Sequence, residues 1–195
     1  MNEALQPSPP EPSPLGSLQK IKQRWHQFRQ HYWRALLFDV IALIVVFVGI
    51  SAWQSKHLIV ADGQQQAPDF NLVALDGQRY ELSSAQGDKA LLYFFAPWCH
   101  VCGLSAGNIE ALRAARNDDE LDIYMVALSY DSLAEVKAFV DEHQLTVPVL
   151  LGHDKQIEDY RIRAFPTYYV VDNNGRVKHR SVGYSTELGL RWRTW

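Results

Sequence analysis

The sequence contains only two cysteines in 195 residues, Cys99 and Cys102. A fold held together by several disulfides needs cysteines spread along the chain, so these two cannot form a structural framework. His143, His153 and His179 stand singly, so a zinc site, which needs about four ligands, is not expected. The two cysteines therefore point to a local chemical function.

An excess of positive charge is also missing, because 19 lysines and arginines stand against 22 aspartates and glutamates, a net charge of −3. No nucleic-acid partner is therefore expected. The charges are unevenly distributed: five basic and two acidic residues precede residue 35, whereas residues 54–195 carry 14 basic and 19 acidic residues. The two ends of the chain are therefore expected to lie in different surroundings.

The first 34 residues form two segments of different composition, and the first of these has little to bury. Residues 1–17 contain five prolines among serines, a composition typical of a disordered tail. Residues 18–34 combine the five bases with apolar residues at helical spacing, namely Leu18, Ile21, Trp25, Phe28 and Tyr32. A basic helix with an aromatic stripe predicts a juxtamembrane segment that lies along an anionic membrane face.

Residues 35–53 form a long apolar run in which Asp39 is the only charge. As a helix, this run would span roughly 28 Å, close to the ~30 Å of a bilayer's hydrocarbon core. Trp33 and Trp53 bracket it, as interfacial aromatic residues do. We predict one transmembrane helix here; a buried helix of a soluble domain and a cleaved signal peptide are the alternatives.

The basic residues also predict the orientation of this span. Five bases precede it and Lys56 alone follows closely, which places the N-terminus in the cytoplasm and the rest of the chain outside. Residues 54–66 are then a polar linker, and residues 67–195 are the folded domain.

Residues 67–195 alternate between strand and helix patterns. The predicted strands are residues 71–75, 79–82, 90–95, 123–128, 147–151, 168–171 and 177–182, and the predicted helices are residues 99–116, 132–143 and 155–161. An N-terminal hairpin, alternating elements and a closing hairpin predict an α/β domain with a mixed central sheet and helices on both faces.

Cys99 and Cys102 follow the buried strand of residues 90–95 and open a predicted helix. The helix N-terminus favours negative charge, so we expect it to lower the pKa of the Cys99 thiol. Cys102 lies one turn further in, near enough to close a disulfide and more shielded from solvent. We therefore expect Cys99 to attack a substrate disulfide and Cys102 to resolve the mixed disulfide, while a protonated His100 would favour the thiolate.

Three motifs resemble the TlpA/ResA branch of membrane-anchored thioredoxin-like proteins: Ala67–Phe70, Trp98–Cys102 and Phe165–Thr167. The match covers about residues 67–190 and includes the anchor arrangement. Within that branch the chain is most similar to the copper-sensitivity-suppressor type, through Leu91–Phe95, Leu145–Leu151 and a tryptophan-rich C-terminus.

The resemblance implies a thioredoxin-like fold and a membrane-anchored thiol–disulfide oxidoreductase with no cofactor and no metal. Pro166 would follow a cis peptide bond and lie against the cysteines, with Phe165 facing the substrate and Trp98 supporting the site. Such a protein sits in the bacterial inner membrane with its catalytic domain in the periplasm. Its partners would be protein thiols and disulfides and a membrane thiol that transfers electrons.

Three positions depart from the family pattern. Tyr93 stands where thioredoxins have a buried aspartate, Ser105 stands where ResA-like proteins often have a glutamate, and Val101 replaces the usual proline. Glu110 and Asp131 are interpreted as solvated surface carboxylates. The sequence therefore leaves the acid that would tune proton transfer unassigned.

Four functions are compatible with the cysteine pair. A disulfide reductase or interchange protein is favoured, and a net oxidant that introduces disulfides is the first alternative. A copper-binding accessory protein could use Cys99, Cys102 and His100, because copper(I) favours thiolates. A thiol peroxidase is the fourth, since the start of the domain also resembles peroxiredoxins.

The peroxidase alternative generates a prediction. Peroxiredoxins place a threonine or serine three residues before the reactive cysteine to orient the peroxide, and Ala96 occupies that position. We expect the purified protein, supplied with a dithiol reductant, to consume hydrogen peroxide no faster than free thiols do. Sustained turnover of peroxide that disappears in Cys99→Ser would contradict this expectation.

Overall fold

The computed structural model describes residues 33, 36–46, 49–50, 56–85, 88–117 and 119–195. The chain divides into two compact units, Met1–Ile50 and Ser51–Trp195. The described residues of the first unit are helical, and no helix among the described residues is long and apolar enough to cross a membrane. The predicted tail of residues 1–17 lies outside the described residues, as do most of 18–34 and part of 35–53, so these remain predictions.

The second unit contains seven strands and four α-helices among its described residues. In chain order they are β1 (Asn71–Val73), β2 (Arg79–Glu81), β3 (Lys89–Phe95), α1 (His100–Ala114), β4 (Leu121–Ala127), α2 (Leu133–His143), β5 (Val149–Leu151), α3 (Asp154–Asp159), β6 (Thr167–Asp172), β7 (Val177–Val182) and α4 (Glu187–Arg193), with a 3₁₀ turn at Leu82–Ser84.

Five of these strands form one mixed sheet in the order β5-β4-β3-β6-β7. β3, β4 and β5 are parallel, whereas β6 is antiparallel to β3 and β7 is antiparallel to β6. β1 and β2 pair as a separate antiparallel hairpin. The predicted α/β domain with a mixed central sheet is therefore confirmed, and each predicted strand and helix is present, β7 with the predicted bounds and the others with shifted ends.

The central strand β3 is buried on both faces, as its continuous apolar run predicts. Leu91, Tyr93 and Phe95 belong to a core with residues of α1, α2 and α4. Leu92 and Phe94 point to the opposite core, which includes residues of the hairpin β1–β2 and the segment that follows α3. Helices therefore cover one face of the sheet, the hairpin and the segment after α3 cover the other, and the end of β3 is buried between them.

Helix α4 was not predicted. Thr186 caps it by accepting a hydrogen bond from Gly189 N–H at 3.2 Å. Within α4, only Leu190 is buried, so the sequence of α4 lacks the apolar stripe by which a helix that packs on a core is recognised. Its other large apolar residues, Leu188 and Trp192, face solvent instead.

The segment that precedes β1 is held at the edge strand β7. Arg180 Nη1 donates to the carbonyl oxygens of Leu58 and Ile59 at 2.7 and 2.8 Å. On β7 the preceding residue, His179, contacts the ring of Trp192 in α4, with 6.1 Å between ring centroids. The start of the domain and its last helix are therefore both fixed to the same edge of the sheet.

The buried tyrosines predict a loss of stability at alkaline pH. Tyr169 on β6 is fully buried; its hydroxyl donates to the Tyr160 carbonyl at 2.7 Å and accepts from Ile59 N–H at 3.3 Å. Burial raises the pKa of Tyr169 to about 12, against an opposing effect of the Ile59 N–H and Arg180. In the unfolded chain a tyrosine ionises near pH 10, so above that pH the unfolded state binds fewer protons.

We therefore expect the free energy of unfolding to fall as pH rises from about 10 to 12, by up to about 3 kcal/mol for Tyr169 alone. Urea unfolding at a series of pH values measures this. Tyr169→Phe should be less stable at pH 8, because it loses both hydrogen bonds, yet decline less steeply at alkaline pH. Tyr184→Phe is the control, because it removes a tyrosine that is 54 % exposed, and the free energy of unfolding should fall between about pH 10 and 12 as steeply as in the wild type. An equally steep fall in Tyr169→Phe would contradict the explanation.

Candidate active site

The two cysteines lie at the junction between β3 and α1. Cys99 is the N-cap of α1, and its Sγ accepts a hydrogen bond from Cys102 N–H at 3.2 Å. The two residues form a disulfide, with their Cα atoms 5.2 Å apart. Cys99 is 9 % exposed and Cys102 is fully buried. The predicted asymmetry is therefore present: a client thiol can approach Cys99, whereas Cys102 is shielded.

The cis peptide bond predicted between Phe165 and Pro166 is confirmed. Thr167, the next residue, begins β6 and pairs with Phe94 near the end of β3. Pro166 therefore lies at the same end of the sheet as the cysteines. Its carbonyl accepts a hydrogen bond from Gly183 N–H at 2.8 Å, which ties the cis-proline loop to the end of β7.

Trp98 and Phe165 form an aromatic pair beside Cys99. Their rings meet edge to face, with 5.8 Å between centroids. Trp98 is 67 % exposed, and its Nε1 donates to the Ser129 carbonyl at 2.8 Å, which fixes the ring after the end of β4. An exposed but oriented aromatic surface of this kind suits contact with another chain.

A cavity of about 390 Å³ opens on Cys99 between the first turns of α1 and the last turn of α2. The residues that line it are Pro97, Trp98, Cys99, His100, Gly103, Leu104, Phe139, Glu142 and His143. Two histidines therefore share this cavity with Cys99, the more accessible of the two cysteines. The predicted site residue His100 is exposed here.

His143 belongs to the site although sequence analysis treated it as isolated. A Cβ atom on Gly103 would lie 2.6 Å from His143 Nε2, so the imidazole approaches α1 as closely as a glycine permits. Its ring also packs edge to face on Phe139, 4.5 Å between centroids. The signal in the sequence is that Phe139 and His143 lie one turn apart on the apolar face of α2.

A cluster of hydroxyl groups lies behind Cys102. Tyr93 Oη donates to the Cys102 carbonyl at 2.9 Å, and Ser105 Oγ donates to the Val101 carbonyl at 3.0 Å. The ring of Tyr168 lies 4.9 Å from that of Tyr93. Among the described residues, Tyr168 Oη is the single buried side-chain nitrogen or oxygen without a hydrogen-bond partner.

Tyr93 and Ser105 stand at the two positions where the family resemblance led us to expect a carboxylate. Burial, with a further contribution from Tyr168, raises the pKa of Tyr93 far above its ordinary value, so the Tyr93 hydroxyl stays protonated. It can hold the first turn of α1 in place by donating a hydrogen bond, but it cannot accept a proton at neutral pH.

The two carboxylates considered from the sequence lie elsewhere. Asp131 is exposed, as expected. Glu110 is partly exposed, and its Oε1 also accepts hydrogen bonds from Thr146 N–H and Val147 N–H at 2.7 and 3.2 Å. Because these hydrogen bonds hold the segment before β5, Glu110 has a structural role.

In the described part of the chain, no three histidine, cysteine, aspartate or glutamate side chains are grouped so that they could hold a metal ion. The chemistry that the bonded pair Cys99 and Cys102 supports directly is that of its two sulfur atoms, exchange between a dithiol and a disulfide.

Comparison with known proteins gives the same chemistry. Residues 64–180 match the AhpC/TSA family. The thioredoxin-like protein YneN of Bacillus subtilis is 32 % identical over 154 residues, which cover 74 % of this chain and 89 % of YneN. The thiol-disulfide oxidoreductase ResA of Bacillus cereus is 28 % identical over 163 residues, which cover 80 % of this chain and 92 % of ResA.

A solved structure has the same fold. It is a thiol:disulfide interchange protein of the thioredoxin family from Chlorobium tepidum, with a TM-score of 0.61 and 22 % identity, and the match covers 67 % of this chain and 93 % of that one. With a disulfide at a strand–helix junction, a cis-proline at the same end of the sheet and these relatives, the chain belongs to the AhpC/TSA family and is a thioredoxin-like thiol–disulfide oxidoreductase.

Proposed function

We propose that the protein exchanges disulfides with protein clients, with Cys99 as the nucleophile and Cys102 as the resolving thiol. The observation that carries this assignment is the difference in exposure between two bonded cysteines at the start of α1. Only Cys99 can be reached by a client sulfur, and as N-cap it has the position in which a helix stabilises a thiolate.

The reductive direction runs in two displacement steps. The Cys99 thiolate attacks a client disulfide, a mixed disulfide forms, and the first client sulfur leaves as a thiolate. The Cys102 thiolate then attacks Cys99 Sγ, which releases the second client sulfur and closes the Cys99–Cys102 disulfide. Two electrons pass to the client, and the two protons lost by the enzyme's thiols balance those gained by the client's sulfurs.

The surroundings of Cys99 would position the client. The aromatic pair of Trp98 and Phe165 offers an apolar contact surface, and the cis-proline loop before β6 brings backbone groups to the same end of the sheet. The cavity lined by His100 and His143 could receive the client side chain next to the reacting cysteine. Protonated imidazoles there would stabilise the Cys99 thiolate.

We infer that the protein acts as a reductase or interchange protein, in keeping with the TlpA/ResA resemblance. A net oxidant is the second candidate, and the two histidines beside Cys99 favour it, because stabilising the thiolate makes a disulfide more oxidising. An oxidant would need a partner that reoxidises it, and a reductase needs a thiol donor in the membrane.

The reduction potential of the Cys99–Cys102 couple distinguishes these two directions. We expect a value nearer to that of thioredoxin, ~ −270 mV, than to that of the oxidant DsbA, ~ −120 mV. Equilibration with glutathione or dithiothreitol buffers, followed by thiol alkylation, measures it. A value close to ~ −120 mV would support the oxidant over the reductase, and it would leave the proposed roles of Cys99 and Cys102 unchanged.

Trapping tests the roles of the cysteines directly. In Cys102→Ser the second displacement cannot occur, so mixed disulfides between Cys99 and its clients should accumulate and disappear on reduction. They can be identified by mass spectrometry after non-reducing separation. Cys99→Ser is the matched control and should trap none; equal capture by both variants would show that Cys99 is not the attacking thiol.

We further propose that residues 35–53 anchor the protein in the bacterial inner membrane, with residues 1–34 in the cytoplasm and the catalytic domain in the periplasm. The described residues 36–46 and 49–50 support this, because they are helical and their side chains are exposed. The charge asymmetry around the run supports the orientation. A membrane thiol protein would then be the electron-transfer partner.

A further inference from the structure

Arg193 is a partly buried cation in the last turn of α4. Its Nη1 donates a hydrogen bond to Ser185 Oγ at 2.9 Å, and the Ser185 carbonyl accepts one from Asn108 Nδ2 of α1 at 3.0 Å. Among the described residues no carboxylate forms an ion pair with Arg193, whereas the exposed Arg191 pairs with Glu187 at 2.7 Å. Partial burial of a charge without a counter-ion costs free energy, so the position of Arg193 points to a role beyond folding.

Buried hydroxyl groups lie between Arg193 and the active site. We call them the hydroxyl cluster; its members are Tyr93, Ser105, Tyr168 and Ser185. Burial raises the pKa of Tyr168, while the hydroxyl groups of Ser105 and Ser185 and the charge of Arg193 oppose this rise. These three side chains therefore lie around the Tyr168 hydroxyl.

The other end of the hydroxyl cluster belongs to the active site. The centroid of the Tyr93 ring lies 4.9 Å from that of Tyr168, and Tyr93 Oη donates to the Cys102 carbonyl at 2.9 Å. Ser105 follows Cys102 by about one turn of α1 and is fully buried. A series of adjoining polar side chains therefore connects Arg193 to the resolving cysteine.

The remaining charged groups lie on other sides of the two cysteines. Those that line the cavity on the Cys99 side are His100, Glu142 and His143. Near Arg193 lie Lys89 at the start of β3 and His179 on β7; burial lowers the pKa of His179, and the charges of Arg193 and Lys89 lower it further. The two tyrosines of the hydroxyl cluster stay neutral, because burial raises their pKa values. The side chains behind Cys102 on β3, β6 and α4 therefore contribute positive charge or none.

We propose that Arg193 acts on the resolving step by stabilising, through the hydroxyl cluster, the thiolate that Cys102 forms before it attacks Cys99 Sγ. The proposal rests on the assignment of Cys102 as the resolving thiol. Cys102 is fully buried, and burial disfavours a thiolate. Across about 10 Å of protein interior, a unit charge shifts the ionisation equilibrium of another group by roughly tenfold.

The hydroxyl cluster can respond to this new charge. Among the described residues, Tyr168 Oη is a buried group without a hydrogen-bond partner, so its O–H dipole is free to turn when the charge behind it changes. Dipoles of this kind, in surroundings of low dielectric constant, strengthen the interaction between a cation and an anion on either side of them.

The resolving step balances without a further reactant. Cys102 loses its proton to solvent, its sulfur bonds to Cys99 Sγ, and the bond between Cys99 Sγ and the client sulfur breaks with its electron pair on the client. The client thiolate then takes up a proton from solvent. Arg193 gains and loses no proton and touches none of the reacting atoms, so it is a positioning residue.

Two successive releases of a coloured thiolate separate the two displacements. The reduced full chain is mixed in a stopped-flow instrument with dithiobis(nitrobenzoate), an aromatic disulfide. Attack by Cys99 releases the first thiolate at a rate proportional to reagent concentration. Attack by Cys102 on the mixed disulfide releases the second at a rate independent of that concentration.

In Arg193→Gln we expect an unchanged first phase and a second phase that is about threefold slower at neutral pH. The thiolate fraction of Cys102 falls roughly tenfold, and the greater nucleophilicity of a more basic thiolate recovers about threefold of this. The pH at which the second phase reaches half its maximal rate should rise by about one unit.

Arg191→Gln is the matched control, because Arg191 lies in the same last turn of α4 but is exposed and paired with Glu187. Both phases should equal those of the wild type. Arg193→Lys keeps the charge and should restore the pH profile of the second phase; if it behaves like Arg193→Gln, the charge is not responsible and the proposal fails.

Two further results would overturn the role of Arg193. One is a second phase in Arg193→Gln with the wild-type rate and pH profile. The other is equal slowing of both phases, or slowing of the second without a shift in pH, because either would assign Arg193 to the packing of α4 alone.

Cys102→Ser separates this failure from failure of the proposed exchange mechanism. That variant should release only the first thiolate. A second release at a rate independent of reagent concentration would refute the roles of the two cysteines themselves. A single release in Cys102→Ser, together with an unaltered second phase in Arg193→Gln, would refute the role of Arg193 and leave the exchange mechanism in place.

Discussion

The junction at which β3 ends and α1 begins determines the chemistry of this protein. β3 is buried on both faces, its last residue, Phe95, is fully buried, and Cys99 four residues later is the N-cap of α1. One backbone geometry thereby provides a helix terminus for the attacking sulfur, a buried position for Cys102 and a neighbouring strand, β6, that brings Pro166 to the same end. Displacing that junction would lose all three together.

The proton chemistry behind the cysteines differs from what a carboxylate would provide. Tyr93 meets the backbone of Cys102, and its hydroxyl is held neutral by burial. The Tyr93 hydroxyl therefore places no negative charge behind Cys102 that would oppose a second thiolate, and at neutral pH it does not act as a base there.

The sequence predicts those parts of the structure that depend on local patterns. The apolar run before Ala96 predicts β3, and the spacing of Cys99 and Cys102 predicts the disulfide. The approach of His143 to Gly103 depends on how α2 packs against α1, which no local pattern encodes. α4 was missed for a related reason: a cap and one buried leucine stabilise it, while its other apolar residues face outward.

The approach of His143 to Gly103 also restricts how the site can change over evolutionary time. A side chain at position 103 and an imidazole at position 143 compete for the same volume, since a Cβ at 103 would lie 2.6 Å from Nε2. The order of substitution therefore matters: a small residue at position 143 opens position 103 to replacement, whereas replacement at 103 first expels the imidazole from the wall of the cavity. The two positions are expected to vary as a pair among descendants of this chain.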